Sequence, residues 1–346
     1  MSKAVRGAMR IAVVGAGQAS APHLQSIQDL GGEVTLARVV ARSAGKLSAL
    51  NLPAGALTST RLEDILEDAS ITAVLVLTPP NSHLEIVERL ARAGKHVLVE
   101  KPLDVSLEKA QQMVAICEQS GVKLAVMLQH RMRDASLALA RLIKEGTLGE
   151  LLSASASIRW WRPQSYYDEP GRGTMARDGG GVLMTQAIHT IDLMLSLTGM
   201  PDKVVAMAST SAAHRMECED TVAAGLHYPN GAIGSIDATT AAWPGFPERI
   251  ALNFTGGSAT LEAGELRAEL TDGRQIQVGV RQATGSGANI MAFDHAFHRA
   301  VLQDFVAAIR NDTEPAVTGR SALQVQRLIN AIMASSNSGS AVSVPP

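Results

Sequence analysis

Two short segments hold the side chains best suited to moving a proton. The first is Glu100-Lys101-Pro102, which closes the run KHVLVE at 95–100. That run is a predicted strand. An amine at its end can reach over the crevice where ligands bind at the carboxyl edge of an open α/β sheet. Pro102 pushes Lys101 toward extended geometry, so the chain does not simply continue into a helix. A lone lysine at a strand end is usually just solvated. Only its context makes it a candidate.

The second segment, 181–198, is predicted to be helical. Thr185, His189, Asp192 and Ser196 fall at i, i+4, i+7 and i+11 and so share one face. The rest is apolar, from Val182 and Leu183 to Leu195 and Leu197. An amphipathic surface helix gives the same pattern, but its wet side normally carries Lys, Glu or Arg. A stripe of one histidine, one aspartate and two hydroxyls suits a cleft wall better. His189 is the natural general base, because an imidazole titrates near neutral pH. Asp192 could orient that ring, although simple i, i+3 packing explains the pair equally well. Gly179, Gly180 and Gly181 precede the helix and allow close backbone approach.

These groups need a cofactor or substrate to act on, and the N-terminus offers a place for one. Strand 10–14 runs into Gly15-Ala16-Gly17-Gln18-Ala19-Ser20 and then a helix. The two glycines fit a tight turn and the approach of backbone to a pyrophosphate at a helix N-terminus. The third glycine position holds Ser20, so the fingerprint is incomplete. The second strand ends in Val40-Ala41-Arg42-Ser43. No acid is present there to accept from the ribose 2′-hydroxyl of NAD. Arg42 and Ser43 can instead hold a 2′-phosphate, which favours NADP over NAD; a solvated arginine is the plainer alternative.

The stretch 160–167 gathers aromatics in a chain that has few. Stacking faces with polar rims suit a pyranose-like substrate. Trp161, Arg162, Tyr167, Arg172 and Thr174 are candidate contacts, with strand packing as the competing explanation. Gln129, His130 and Arg131 follow the last strand of the first third and are further cleft candidates. No metal is expected. His295 and His298 share a helix face but lack a nearby carboxylate or cysteine set.

The elements that must position these residues change character along the chain. The first third alternates β-branched runs with helical patterns, as a doubly wound parallel sheet requires. Beyond about residue 150, strand-like runs dominate. They are punctuated by turns such as Pro229-Asn230-Gly231, as hairpins demand. Helical patterns return at 295–310 and 320–335. The expected domains are 1–128, a dinucleotide-binding Rossmann domain, and 129–346, an α+β substrate-binding and oligomerisation domain. The C-terminal helices are expected to pack back on the first. A net charge of −2 and the absence of a basic block argue against a nucleic-acid partner. No apolar run reaches membrane-spanning length. Two distant cysteines suit free thiols in a reducing compartment, so a cytoplasmic location is expected.

Further motifs carry a resemblance. Residues 94–103 read GKHVLVEKPL and 78–83 read TPPNSH. With the glycine turn, DGGGVLMTQAIHTIDLM and CEDTVAAGLHYPNGAIGSI, they resemble the Gfo/Idh/MocA oxidoreductases over nearly the whole chain. The resemblance implies a Rossmann domain followed by a large, open, mostly antiparallel sheet that often forms the interface of a homodimer or homotetramer. It implies hydride transfer between a nicotinamide cofactor and a secondary hydroxyl or ketone of a sugar, polyol or sugar acid. Lys101 and His189 would move the proton, with Thr185 as a hydroxyl contact. Thr185 stands where several relatives carry Asp or Asn, a departure from the inositol-dehydrogenase type of site. The implied cofactor contacts are Gly15, Gly17, Gln18, Ala19, Arg42, Ser43, Thr78, Pro79, Pro80, Asn81, His83, Glu100 and Lys101. The implied substrate contacts are Gln129, Arg131, Trp161, Arg162, Tyr167, Arg172 and Asp192. Two other activities occur among relatives: a redox-neutral, NAD-dependent glycosidase and a non-catalytic, dinucleotide-sensing regulator. Retention of both Lys101 and His189 ranks the regulator last.

Overall fold

The structure is a computed structural model that describes residues 7–17, 19–282, 285–287 and 294–345. Gln18, an expected cofactor contact, lies outside the described residues. The chain divides into two compact units: residues 1–128 with 295–322, and residues 129–294 with 323–346.

The first unit is a six-stranded sheet in the order β3-β2-β1-β4-β5-β6. Its strands are β1 (Met9–Val14), β2 (Val34–Val40), β3 (Leu57–Ser59), β4 (Ala73–Val76), β5 (His96–Val99) and β6 (Leu124–Val126). Every pairing is parallel. Strands covered on both faces should read as continuous apolar runs, and Ala73–Val76 is buried at every residue. The connecting helices are α1 (Ser20–Asp29), α2 (Ala44–Ser48), α3 (Glu63–Leu66), α4 (His83–Arg92) and α5 (Leu107–Gln119). Ser43 caps α2 and Ser106 caps α5, each accepting from a backbone N–H three residues on. The strand order turns back between β1 and β4, so the β1–α1 turn opens at the switch point where such sheets bind ligands.

The second unit is a nine-stranded sheet in the order β14-β13-β12-β11-β7-β10-β9-β8-β15. The helices before and after β7 (Leu151–Arg159) are α6 (Asp134–Lys144), α7 (Gln164–Tyr167), α8 (Met175–Asp178) and α9 (Ile188–Thr198). The remaining strands are β8 (Lys203–Ser209), β9 (Thr221–His227), β10 (Ile233–Thr239), β11 (Arg249–Phe254), β12 (Gly257–Glu262), β13 (Glu265–Leu270), β14 (Gln275–Val278) and β15 (Val342–Ser343). Only β7 and β10 pair in parallel; the other pairs are antiparallel. Alternation sorts the two faces. Ala154, Ala156, Val222, Leu226, Ile236, Ile250 and Leu252 are buried on the side where α6 and α9 pack. Ser155, Gly225, Ser235 and Met207 lie on the opposite side.

Two long helices complete the chain: α10 (Ala296–Asn311), which packs on α1 within the first unit, and α11 (Gly319–Ser338).

Candidate active site

In the first unit the carboxyl edge of the sheet gathers most of the expected cofactor residues. Gly15 leaves β1 at φ +116°. A Cβ there would sit 2.7 Å from the carbonyl oxygen of Leu77, so no larger residue fits the turn. Gly17 differs: among the described residues a Cβ on it would meet nothing within 4 Å, and the residue is exposed. Open space over Gly17 leaves room for a ligand to lie on the backbone. The Ser20 hydroxyl donates to the Gly17 carbonyl at 2.7 Å, so the missing third glycine has become a turn lock. Ala19 is exposed at the N-cap of α1.

Arg42 and Ser43 are both exposed just past β2. Among the described residues no hydrogen bond or ion pair engages the Arg42 side chain. Ser43 accepts from Lys46 N–H at 3.4 Å, so part of its capacity is committed to capping. Next to β4, Thr78 and Pro80 are half-buried and Pro79 and Asn81 exposed. His83 is different: it is fully buried, with Nε2 2.8 Å from the Thr78 carbonyl and Nδ1 3.1 Å from those of Pro102 and Leu103. Burial depresses its basicity despite these bonds. The ring therefore stitches the 78–81 loop to the segment after Lys101, and its part in a cofactor site is to hold backbone.

Lys101 is half-buried at the end of β5 and joined to Pro102 by a cis peptide. Glu100 beside it is tied down at both oxygens. Oε1 lies 2.7 Å from His23 Nε2 on α1, and Oε2 accepts the Lys101 N–H at 3.1 Å. Burial works to raise this carboxyl, yet the His23 bond and the neighbouring positive charge hold it down at about 2. His298 of α10 sets its ring edge-on to His23, 5.3 Å between centroids. The sequence suggested nothing of this cluster, because its members are far apart in the chain. Ligand atoms of His23, Glu100 and His298 lie within 4.8 Å of one another, close enough to consider a metal ion.

The second unit holds the other half of the predicted chemistry. Its helix is not uniform. Leu183–Ala187 forms a π-turn before α9 begins, and such turns recur at functional sites. From Gly181 to Leu195 every residue is buried except Thr185 and His189, which are partly open. The Thr185 hydroxyl donates to the Gly181 carbonyl at 2.7 Å and also contacts the Gln186 side-chain oxygen. His189 stacks at 5.1 Å on His130, whose ring is fixed by Arg133 and, beyond it, Glu248.

Asp192 leaves the predicted polar stripe. It is fully buried, and its carboxylate takes a two-point grip from Arg131, at 2.5 and 2.7 Å. Burial raises its pKa while the guanidinium opposes that rise. Both residues were expected to meet substrate; the structure pairs them with each other. Gln129 is half-buried with its Oε1 enclosed. Arg162 is also occupied internally, donating to the carbonyls of Trp161, Gly285 and Gly287 at 2.8–2.9 Å. The Tyr167 hydroxyl is buried against Thr240 at 2.7 Å. Arg172 pairs with Glu169 and lies over the Tyr166 ring. Trp161 meets Trp243 edge-on at 5.5 Å. Packing thus accounts for much of the aromatic segment, and Thr174 caps α8.

The glycine triplet has a specific partner. Gly181 and Leu183 N–H donate to the two Glu219 carboxylate oxygens at 3.0 and 3.2 Å, and Val182 N–H to the Glu219 carbonyl at 2.9 Å. A Cβ on Gly181 would fall 1.7 Å from that carbonyl oxygen. Close approach was expected here; what approaches is the protein's own strand-flanking segment.

A doubly wound sheet with a glycine turn at its switch point, and a second unit built on a mostly antiparallel sheet, is the architecture of a two-domain protein with a Rossmann unit. Residues 9–128 match the oxidoreductase family with an NAD-binding Rossmann fold, and residues 136–260 match the GFO/IDH/MocA C-terminal domain. The chain belongs to the Gfo/Idh/MocA family. A 1,5-anhydro-D-fructose reductase of Ensifer adhaerens is 30% identical over 267 residues, covering 75% of this chain and 76% of that one. The WlbA dehydrogenase from Bordetella pertussis, solved with NADH and UDP-GlcNAcA, is 30% identical with a TM-score of 0.82. That likeness covers 98% of this chain and 99% of the other. An uncharacterized oxidoreductase of Schizosaccharomyces pombe is 33% identical over 178 residues, 50% of this chain and 47% of its own. The chain thus spans about half the length of the first curated relatives it matches.

Proposed function

We propose that this protein is a dehydrogenase that uses NADP, or less well NAD, on a secondary hydroxyl of a sugar, polyol or sugar acid. The supporting observation is the carboxyl edge of the first unit, where the Gly15 and Gly17 turn and Lys101 stand on one sheet. The cradle fits a dinucleotide: Gly15 admits no side chain, and Gly17 leaves its backbone uncovered. Gly15, Gly17 and Ala19 would hold the pyrophosphate, Arg42 the 2′-phosphate, and Thr78 to Asn81 would flank the nicotinamide end. Bound there, the nicotinamide supplies hydride acceptance or donation. Lys101 orients the reacting hydroxyl and shares its proton. His189, its ring packed on His130, is the second proton-transfer residue of this reading, a general base. Thr185, open beside it, contacts a substrate hydroxyl.

A homodimer or homotetramer through the outer sheet face belongs to this reading, and so does a cytoplasmic location. The latter rests on Cys117 and Cys218, both buried thiols whose pKa burial pushes up to about 12. No described helix is long and apolar enough to cross a membrane.

The test is a panel of sugars, polyols and sugar acids with each cofactor, followed at the nicotinamide absorbance. Turnover is expected with NADP preferred. The variant Arg42→Ala should weaken NADP by about tenfold or more, as loss of a charge-assisted phosphate contact implies, and change NAD little. Replacing His189 with Ala should cut kcat by about 100-fold or more while cofactor affinity holds. Flat traces with every substrate and both cofactors count against the reading.

A further inference from the structure

The groups around Glu100 form a cluster that the reaction as described leaves unused. Four observations converge on it. His23 is 1% exposed, and its Nε2 meets Glu100 Oε1 at 2.7 Å, although 77 positions separate the two residues. The other oxygen of Glu100 accepts the Lys101 N–H. His298 is 5% exposed and presses its ring edge-on against His23. His23 also lies one turn into α1, the helix that the glycine turn feeds.

We propose that His23 is a positioning residue: through Glu100 it fixes the backbone that carries Lys101, while the His298 ring holds His23 in place. The proposal rests on Lys101 serving the reaction as argued above. It ties the dinucleotide-binding helix and the proton-handling strand end to one buried contact. Three elements converge on Glu100: α1 through His23, α10 through His298, and the end of β5 through Lys101. His295, whose charge bears on His298, lies 2.8 Å from Asp29, and Arg299 also pairs with Asp29.

The charge state of the carboxyl makes the role measurable. With His23 present, Glu100 stays ionised down to about pH 2. Without it, burial is the dominant influence, and the carboxyl takes up a proton at higher pH. A protonated Glu100 keeps neither its grip on α1 nor its full hold on the Lys101 N–H.

The experiment compares wild type with His23→Leu and His23→Gln, measuring kcat and KM from pH 5 to 9 and cofactor affinity by NADPH fluorescence. His23→Leu should lower kcat about tenfold at neutral pH, as loss of a supporting contact does. Cofactor affinity should change by less than about threefold. The loss should deepen as pH falls, because the acid limb moves up. His23→Gln restores an N–H donor to Glu100 without an imidazole ring, so kcat should recover in part while the limb lies between the two. A merely structural role lowers kcat by one factor at every pH, and that result overturns the proposal. Unchanged kcat overturns it too. So does a rise in melting temperature on adding zinc that His298→Ala abolishes, since the cluster would then be a metal centre.

Circular dichroism checks folding, and His298→Ala gives the same test with a milder effect if His23→Leu fails to fold. Should wild type turn over no substrate, the dehydrogenase reading falls, yet melting still reports on the cluster. The Glu100 pair stabilises wild type above the unfolded carboxyl pKa. In His23→Leu the carboxyl is destabilising at neutral pH and is relieved by protonation. The gap in melting temperature should therefore narrow from pH 8 to 5. A constant gap sinks the proposal independently.

Discussion

Residue by residue, the site shows a division of labour that residue type alone conceals. His189 and Asp192 lie three positions apart on one helix, yet one is partly open and the other fully buried. The buried carboxylate is tolerable because Arg131 meets it at two points. Removing only the arginine strands a charge in the interior. Arg131→Ala should cost about 3–5 kcal/mol at neutral pH, and adding Asp192→Ala should return part of it. The sign with pH is fixed. Burial already raises the Asp192 carboxyl, and without Arg131 to oppose it the carboxyl rises further above its unfolded value, so the folded variant binds the extra proton. Stability of the variant should then rise relative to wild type as pH falls. Urea unfolding at pH 7.5 and 5.0 checks this; a pH-independent deficit means the carboxylate has found another counter-charge.

At the scale of elements, Glu219 explains why a glycine stands at 181, just before the π-turn. Its carboxylate and carbonyl take three N–H groups that the start of a helix leaves without partners. That geometry requires the strand-flanking backbone to touch Gly181. Gly181→Ala should destabilise the protein by about 3 kcal/mol or more and displace Thr185 and His189 with the turn. A denaturation midpoint within error of wild type would falsify this account. The apolar runs of β1 and β2 and the alternation of β7 and the β9–β10 hairpin were legible because burial on both faces or on one writes directly into residue type. The β12–β13 hairpin was not, since Glu262-Ala263-Gly264-Glu265 offers a weaker turn signature than Pro-Asn-Gly. The tight turn after β1 was legible from Gly15 and Gly17. The Arg131–Asp192 pair and the His23–Glu100–His298 cluster were not, because each joins residues brought together only by tertiary folding. Periodicity placed Asp192 on the right helix but could not tell which neighbour faced it.

Taken whole, the second unit leaves one sheet face with an unusual composition. Ser153, Ser155, Ser157, Ala223, Gly225 and Ser235 form a flat, small-residue field across β7, β10 and β9. Beside it, Val205 is 55% exposed and Met207 75%. Ile233 lies on the same face, paired with His227 across the hairpin. Charged groups stand on this face too: Lys203, His227, and Arg159, which pairs with Asp237 at 2.6 Å. Flat sheets of small residues permit close approach of a second sheet, and exposed apolar side chains gain when water is removed. A second copy supplies both, since a two-fold contact sets the same patch against itself. Light scattering coupled to size exclusion should therefore give a dimer or tetramer mass. The double variant Val205→Lys, Met207→Lys places like charges face to face across the two-fold and should shift it toward the monomer. Each subunit should keep its fold, because neither side chain contributes to the core. A wild-type monomer mass at micromolar concentration would remove the interface from the proposal, and an unchanged oligomer in the double variant would place the contact elsewhere.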